Sequence, residues 1–282
     1  GVGWGHPLSV GADRWSRGAV TSGRKEQAAL LASLHHGDRP LVLPNVWDAV
    51  SARVVESVGF PVVATSSGAL VRALGYEDGS AAPPDEVFAA VARIARSVAV
   101  PVTADLEDGY GLTGEELAGR LVAAGAVGCN LEDSSYSGSE PLVSTDVFAE
   151  RVAAVKEAGR ALGVDIVLNA RIDVFLRSVG PPGDRIGAAL ERARAYFDAG
   201  ADCVYPITAS TDHEVATLVR TAGGPVNIMA LAEPADVARL ASLGAARISV
   251  GSGLATVVTS RMHEVVAALA TALIDQGCEP ST

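Results

Sequence analysis

Short runs rich in valine, isoleucine and leucine alternate along the chain with longer, alanine-rich segments whose apolar positions recur at helical spacing. The runs are Leu41–Val46, Pro61–Ser67, Val102–Glu107, Gly128–Asp133, Ile166–Asp173, Cys203–Ile207, Val226–Leu231 and Arg247–Gly251. Their uninterrupted apolar character is typical of parallel strands that are covered on both faces. The pattern therefore predicts eight buried parallel strands.

The segments between these runs predict helices. The clearest are Asp85–Val98, Thr113–Ala124, Thr145–Leu162, Asp184–Ala199 and Pro234–Leu243. Capping residues begin several of them, and a glycine such as Gly125 or Gly200 follows others, where a left-handed backbone ends a helix. Eight β–α units without a linker predict one closed (β/α)8 TIM barrel over residues 25–282, with a doubly wound open sheet as the alternative. Residues 1–24 predict an irregular N-terminal arm.

Composition and charge exclude several classes of function. The 282 residues include 33 acidic and 22 basic side chains, a net charge of -11 that would repel nucleic acid. The three cysteines, Cys129, Cys203 and Cys278, are far apart, which argues against a disulfide framework and a thiolate metal site. No apolar run approaches the roughly 20 residues of a membrane span, and the first residues do not resemble a secretory signal. We expect a soluble, cytoplasmic protein.

Acidic side chains gather where the third and fourth runs end, and such strand ends carry the chemistry of a barrel. Asp105 and Glu107 are two residues apart and share a face, and Glu132 ends the neighbouring run. Three adjacent carboxylates call for a cation, and an all-oxygen set suits Mg²⁺, which Mn²⁺ could replace. The alternative, acids that cap helices or form rim salt bridges, is favoured for Asp108 and Asp133.

The second and fifth runs end in groups that suit an anionic substrate. Asn169, Arg171 and Asp173 share one face, and the Arg171 guanidinium could hold a carboxylate through two hydrogen bonds and neutralise an enolate. Its alternative role is a structural ion pair with Asp173 or Glu132. The small-residue turn at 65–69 could bind a carboxylate or phosphate through its backbone N–H groups.

Other catalytic patterns are weak or missing in the sequence. Only His213 falls in a loop that follows a strand, so Ser-His-Asp and Cys-His mechanisms find little support. There is no Walker A motif and no GxGxxG after a strand. The turn Gly251–Gly253 after the eighth run is either a phosphate site or a simple tight turn, which leaves open a non-catalytic phosphate-binding barrel.

Several strand-end motifs together carry a family resemblance. They are Ser67–Ala69, Gly75–Asp78, Asp105–Gly111, Asn130–Asp133 and Asn169–Arg171, within a span from Leu41 to Gly251. This set resembles the isocitrate lyase/phosphoenolpyruvate mutase superfamily. The resemblance implies a Mg²⁺-dependent barrel whose last helix is exchanged between subunits of a dimer within a tetramer.

The resemblance also implies roles for single residues. Asp105 would bind the metal directly, and Glu107, Glu132 and Asp78 would complete the shell directly or through water. Glu107 departs from the aspartate that many members carry. The implied substrate-binding residues are Ser67, Gly68, Ala69, Asn169 and Arg171. Arg171, Glu132 and Asp78 would also take part in catalysis.

The segment Asp133–Leu142 departs from the superfamily pattern. It lacks the Lys-Lys-Cys-Gly-His stretch of lyases, whose thiol acts as general acid, and the Lys/Asn-bearing loop of mutases. Tyr136 or Glu140 could take over proton transfer. We therefore expect a Mg²⁺-dependent lyase that cleaves a C–C bond of a small 2-hydroxy or 2-oxo acid through a pyruvate-like enolate. The alternatives are a 2-oxo acid hydrolase or decarboxylase, or P–C chemistry on a phosphonopyruvate-like substrate.

The last helix, predicted over Leu254–Ile274, is apolar on more than one face. Val257, Val258, Val265, Val266 and Leu269 suggest an interface in a homodimer or homotetramer. The alternative is that they pack against the same barrel.

Overall fold

Parallel β-strands form the wall of a barrel in a computed structural model that describes residues 17–79, 81–136 and 139–275. The strands are β1 Leu41–Leu43, β2 Asn45–Val46, β3 Val63–Thr65, β4 Val102–Asp105, β5 Gly128–Glu132, β6 Val167–Ile172, β7 Cys203–Pro206, β8 Asn227–Met229 and β9 Arg247–Ser249. The first predicted strand is divided into β1 and β2 at Pro44, because proline has no N–H for the ladder.

The strand order closes into a ring. β2 to β7 pair in chain order, and β1, β9 and β8 form the remaining sheet. Pro44 joins β1 to β2, and a bridge between Val204 and Val226 joins β7 to the residues before β8. The predicted (β/α)8 barrel is confirmed, and the open-sheet alternative was wrong.

The described part of the chain contains ten α-helices. They are α1 Arg17–Ser33, α2 Ala49–Ser57, α3 Ser67–Leu74, α4 Pro84–Ala95, α5 Gly114–Ala124, α6 Thr145–Ala161, α7 Arg185–Asp198, α8 Asp212–Thr221, α9 Pro234–Ser242 and α10 Gly253–Asp275. α5 starts at a capping box in which Thr113 and Glu116 satisfy each other's backbone N–H groups. Residues 1–16 of the predicted arm lie outside the described residues, and residues 17–24 are helical rather than irregular.

Helix α1 closes the amino-terminal end of the barrel. Leu31 is fully buried, and a Cβ added at Gly128 on β5 would lie 2.7 Å from its Cδ2. The glycine thus lets α1 approach the floor of the barrel closely. The opposite end, where the strands finish, remains the place for a site.

Helix α10 extends from the barrel with its apolar side chains uncovered. From Val257 to Leu269 these side chains are 46–61% exposed, with Val265 and Leu269 at the two limits. Packing of this face against its own barrel, one of the two interpretations of the sequence, was therefore wrong. No helix within the described ranges combines the length and apolar character needed to cross a membrane.

Candidate active site at the carboxyl ends of the strands

Predicted site residues on β4, β5 and β6 stand at matching heights in the barrel wall. Asp105 is paired in register with Asn130, and Asn130 with Asn169. Glu132 lies opposite Arg171 on the next strand. The barrel therefore places these predicted residues at one mouth, as the alternation of side chains along a strand requires.

Asp105 is held by donors from two neighbouring elements. Its Oδ2 accepts hydrogen bonds from the Ser67 N–H (3.1 Å) and Oγ–H (2.9 Å), and its Oδ1 accepts one from Asn130 Nδ2 (3.3 Å). The predicted anion-binding turn is in fact the start of α3, where the Ala69 N–H bonds to Ser66 Oγ (3.4 Å). Two groups predicted to bind substrate, Ser67 and Ala69, thus already have protein partners.

Asp78 reaches the site across Gly68. A Cβ added at Gly68 would lie 2.7 Å from Asp78 Oδ2 and 3.2 Å from Arg72 Nη1. Only glycine leaves room for this carboxylate above the first turn of α3. The structure therefore brings the exposed Asp78 beside the predicted substrate-binding segment.

The turn after β4 has an unusual backbone that directs two side chains into the site. Glu107 and Tyr110 have φ of 51° and 56°, in the left-handed region that costs non-glycine residues about 1 kcal/mol or more. Buried Glu107 accepts hydrogen bonds from the Gly79 N–H (3.1 Å) and from the Tyr110 hydroxyl (3.2 Å). Burial and the Glu107 and Asp105 carboxylates raise the pKa of Tyr110 far above its usual value, so its hydroxyl stays a donor. No role for Tyr110 was predicted from the sequence.

Glu132 lies between a cation and a phenol. Its Oε2 is 2.5 Å from Arg171 Nη2, and its Oε1 accepts a hydrogen bond from the Tyr136 hydroxyl. Burial raises the pKa of Glu132, against the lowering effect of Arg171. Tyr136 is thereby placed in the site, whereas Glu140 is exposed.

Arg171 is already held by a carboxylate of its own strand. Its Nε and Nη2 bond to the two oxygens of Asp173 at 2.7 and 2.8 Å, and both residues are buried. This is the predicted alternative of a structural ion pair. In this arrangement two nitrogens of the Arg171 fork are occupied by Asp173, and a grip of Arg171 on a substrate carboxylate stays a prediction. Among the described residues, none accepts a hydrogen bond from Nη1 of Arg171.

Asn169 belongs to a buried hydrogen-bond network behind Asp105. It is fully buried and donates to Asn130 Oδ1 (2.9 Å), which also accepts from Arg247 Nη2 (3.0 Å). Asn169 thus orients the amide that bonds Asp105, and its role in binding substrate stays a prediction. The buried Arg247, also missed in the sequence, shares this task.

Two acids outside the cluster have the structural roles favoured in the sequence. Fully buried Asp133 accepts hydrogen bonds from Arg192 (2.9 Å) and Tyr196 (2.7 Å), which tie β5 to α7. Asp108 accepts one from the Tyr110 N–H (2.8 Å) within the turn.

The turn after β9 shows few free donors for phosphate. The Val250 and Gly251 N–H groups both bond to Asn45 Oδ1, at 2.9 and 3.0 Å, and the Gly253 N–H bonds to the Val250 carbonyl (2.9 Å). The structure supports the simple tight turn, because these amides close the seam between β2 and β9.

The carboxylate oxygens of Asp105, Glu107 and Glu132 suit a hard cation, although the three side chains do not form a preassembled metal site. Among the described residues, no three His, Cys, Asp or Glu side chains form a group that could hold a metal ion. The expected convergence of Asp105, Glu107 and Glu132 on one point was wrong, because each carboxylate bonds to separate protein donors. Mg²⁺ binds through only one or two carboxylates and retains waters. Asp105 is the most exposed of the three and fits the direct contact.

Comparison with known proteins identifies the family once this geometry is known. The family model described as phosphoenolpyruvate phosphomutase matches residues 31–270. The chain belongs to this family. It is 34% identical to an uncharacterized Mycobacterium tuberculosis protein over 78% of this chain and 80% of that one. It is 33% identical to a Corynebacterium glutamicum protein provisionally named 2-methylisocitrate lyase 1, over 66% of this chain and 60% of the relative.

A solved structure of the phosphoenolpyruvate phosphomutase family shares the fold closely. It is a Burkholderia cenocepacia protein provisionally named a phosphonomutase, with a TM-score of 0.80, 40% identity and coverage of 86% of this chain and 99% of that one. The chain is also 32% identical to an oxaloacetate decarboxylase of Rhodopseudomonas palustris, over 64% of this chain and 63% of that one. It shares the fold of a phosphonopyruvate hydrolase solved with oxalate and Mg²⁺, at a TM-score of 0.75 and 22% identity. The predicted superfamily resemblance is confirmed, while the relatives' names span several reactions.

Proposed function

We propose that this protein is a Mg²⁺-dependent lyase that cleaves a C–C bond of a small 2-hydroxy or 2-oxo acid and forms a pyruvate-like enolate. The observation that carries the proposal is the meeting of Asp105, Glu132 with Arg171, and Tyr136 at one barrel mouth. An oxygen ligand, a fixed guanidinium and a phenol are the groups such a reaction requires.

Asp105 would hold the ion, with Glu107, Glu132 and Asp78 contributing through water. When bound, Mg²⁺ supplies positive charge beside the enolate oxygen. Arg171, fixed by Asp173, adds a second positive group that does not need to reorient during the reaction. Its Nη1 is the group we assign to the substrate carboxylate.

Tyr136 is our assignment for the proton donor that replaces the absent loop cysteine. Burial and the Glu132 carboxylate raise the pKa of Tyr136 well above its usual value, so the phenol keeps its proton at neutral pH. Its hydroxyl already bonds to Glu132 inside the site. In cleavage of a 2-hydroxy acid, the substrate hydroxyl would pass its proton to Glu132 and the C–C electron pair would become the enolate. Tyr136 would then protonate the enolate carbon and recover a proton from Glu132, to which its hydroxyl bonds. Exposed Glu140 is the weaker alternative donor.

A small cavity beside Glu132 and Tyr136 limits the substrate. Its volume is about 210 Å³, and Val143, Val147 and Phe148 line one wall. We assign this space to the fragment that leaves as the C–C bond breaks. Its size favours substrates with a short side chain.

Decarboxylation of a 2-oxo dicarboxylate such as oxaloacetate is the second candidate. It is favoured by the absence of Cys, Lys and His from the segment Asp133–Leu142. Loss of CO₂ forms the same enolate and needs no base, because no hydroxyl group has to be deprotonated. The reaction therefore requires fewer catalytic groups from this segment. The two candidates share Asp105 and Arg171.

The exposed face of α10 supports self-association as part of the proposal. Six large apolar side chains are uncovered along this helix: Val257, Val258, Met262, Val265, Val266 and Leu269. Apolar patches of this kind on a folded chain mark interaction sites. We assign the face to a second copy of the chain in a homodimer or homotetramer.

The test is a substrate panel with detection of the 2-oxo acid product. 2-Methylisocitrate, 2,3-dimethylmalate, oxaloacetate and phosphonopyruvate would each be incubated with and without Mg²⁺. Turnover of 2-methylisocitrate or 2,3-dimethylmalate that requires Mg²⁺ and is lost in Asp105→Ala supports the proposal, whereas such turnover of oxaloacetate alone supports the second candidate. Turnover of phosphonopyruvate alone, or turnover unaffected by removal of the metal, would contradict it. Tyr136→Phe against Glu140→Gln decides which residue donates the proton.

A further inference from the structure

The aromatic ring of Tyr136 is contacted by residues from two other loops. A Cβ added at Gly79, in the loop after α3, would lie 3.3 Å from Tyr136 Cε1. The guanidinium carbon of Arg177, in the loop after β6, lies 5.2 Å from the centroid of the ring. Tyr136 is 40% exposed, so burial alone does not fix its orientation. The ring depends on these two contacts and on the bond of its hydroxyl to Glu132.

We propose that Gly79 and Arg177 are positioning residues that keep the Tyr136 hydroxyl on Glu132. The inference rests on the proposed function, in which Tyr136 donates the proton. A phenol that swings out of the mouth on its loop would leave the enolate without a donor, and a small misplacement of a catalytic group greatly lowers the rate.

Both contacting residues are themselves tied to the site. The Gly79 N–H donates to Glu107 Oε2 at 3.1 Å. Arg177 Nε donates to Ser134 Oγ (2.9 Å), and this hydroxyl donates to Asp173 Oδ2 (2.5 Å). Gly79 therefore links the position of Tyr136 to Glu107. Arg177 and Ser134 link it to Asp173, the partner of Arg171.

Two features of Gly79 disfavour a side chain, its backbone conformation and its contact with Tyr136, and Gly75 in the same loop shares only the first. Gly79 has a φ of +107°, which disfavours any side chain, and an added Cβ would lie 3.3 Å from Tyr136 Cε1, closer than ordinary van der Waals contact. Gly75, in the same loop, has a φ of +91° with no atom within 4 Å of an added Cβ. Gly75→Ala thus introduces comparable backbone strain without touching Tyr136, and it is the matched control for Gly79→Ala.

Arg177 also has a matched control. Arg120 lies over the ring of Phe88 with its guanidinium carbon 6.0 Å from the centroid, far from Tyr136 in the fold. Arg120→Met removes an arginine–aromatic contact of the same kind. Any effect that is specific to Arg177→Met therefore reports on Tyr136.

The test combines hydrogen exchange of the peptide 133–143 with steady-state kinetics on the substrate found in the panel. We expect Gly79→Ala and Arg177→Met to speed exchange of this peptide about threefold or more, as for loss of a partly exposed cation–π contact. We also expect both to lower kcat towards the value of Tyr136→Phe with KM little changed. Gly75→Ala and Arg120→Met should leave both readouts as in the wild type.

Wild-type exchange and wild-type kcat in both variants would overturn the inference. If Gly79→Ala does not fold, Arg177→Met at its exposed position decides by the same criteria. Full activity in Tyr136→Phe would instead refute the assignment of the proton donor, and the exchange data would still show whether the two residues hold the ring. The failure of the inference is thus distinguishable from the failure of the proposed function.

Discussion

Replacement of Asp173 by asparagine tests how the barrel holds the buried guanidinium of Arg171. Asp173 is fully buried, and its two oxygens accept the Nε and Nη2 hydrogen bonds of Arg171 at 2.7 and 2.8 Å. In Asp173→Asn, an NH₂ group faces one of these donors and the negative charge is lost. Glu132, 2.5 Å from Nη2, remains as the partner of Arg171.

The magnitude follows from breaking a buried ion pair. Removal of one partner leaves a buried charge uncompensated and costs about 3–5 kcal/mol. Because Glu132 remains, we expect the lower end, about 3 kcal/mol in the free energy of unfolding. For a chain of this size this corresponds to a fall in Tm of about 6–12 °C. The affinity for oxalate, a mimic of the proposed enolate, should also fall, since Arg171 loses the group that orients it.

The assay is thermal unfolding followed by circular dichroism, with urea denaturation as an independent measure. Asp85→Asn is the matched control, because Asp85 pairs with Arg120 on the surface, where the two side chains are 86% and 40% exposed. Exposed pairs contribute little, so this control should melt with the wild type. A Tm for Asp173→Asn within about 1 °C of the wild type would refute the reasoning from buried charge.

Three further predictions concern the floor of the barrel and helix α10. Burial and the charge of Arg247 lower the pKa of His35 to about 4. The unfolded chain therefore binds the extra proton first, and stability is lost as pH falls from about 6.5 to 4, by about 3 kcal/mol. Urea titrations should show a smaller loss in His35→Gln, and an equal loss would contradict the assignment. Gly128→Ala places a Cβ 2.7 Å from Leu31 Cδ2 and should lower the free energy of unfolding by about 1–3 kcal/mol. An unchanged Tm would show that α1 shifts to make room without loss of stability. Leu269→Asp should reduce the mass measured by sedimentation, and an unchanged assembly would exclude this face as the interface.

The fold was readable from the sequence because buried parallel strands are almost continuously apolar and each is followed by a capped helix. The count of eight units was correct, while boundaries depended on backbone chemistry. Pro44 divides the first strand, and the second strand ends before Ser67 because the Ser66 hydroxyl caps α3. No bounds were predicted for α2 and α3, of nine and eight residues, although bounds were predicted for α9, which also has nine residues.

The site was predictable in position but not in its hydrogen bonds. The period of two along a strand correctly placed Asp105, Glu132 and Arg171 at the same mouth. Which donor each oxygen accepts depends on side-chain rotamers and on residues far along the chain, such as Ser67 for Asp105. Tyr110 gave one usable signal, a tyrosine in a glycine-rich turn directly after the acidic strand end.

The proposed enolate-forming centre is tested most directly by calorimetry of the metal-stripped protein with oxalate, a mimic of enolpyruvate. The titration would be made with and without Mg²⁺ on the wild type, on Asp105→Ala and on Glu140→Gln as the exposed acidic control. We predict oxalate binding that requires Mg²⁺, is lost in Asp105→Ala and is retained in Glu140→Gln. Oxalate binding that is equal with and without Mg²⁺, or undiminished in Asp105→Ala, would contradict the account.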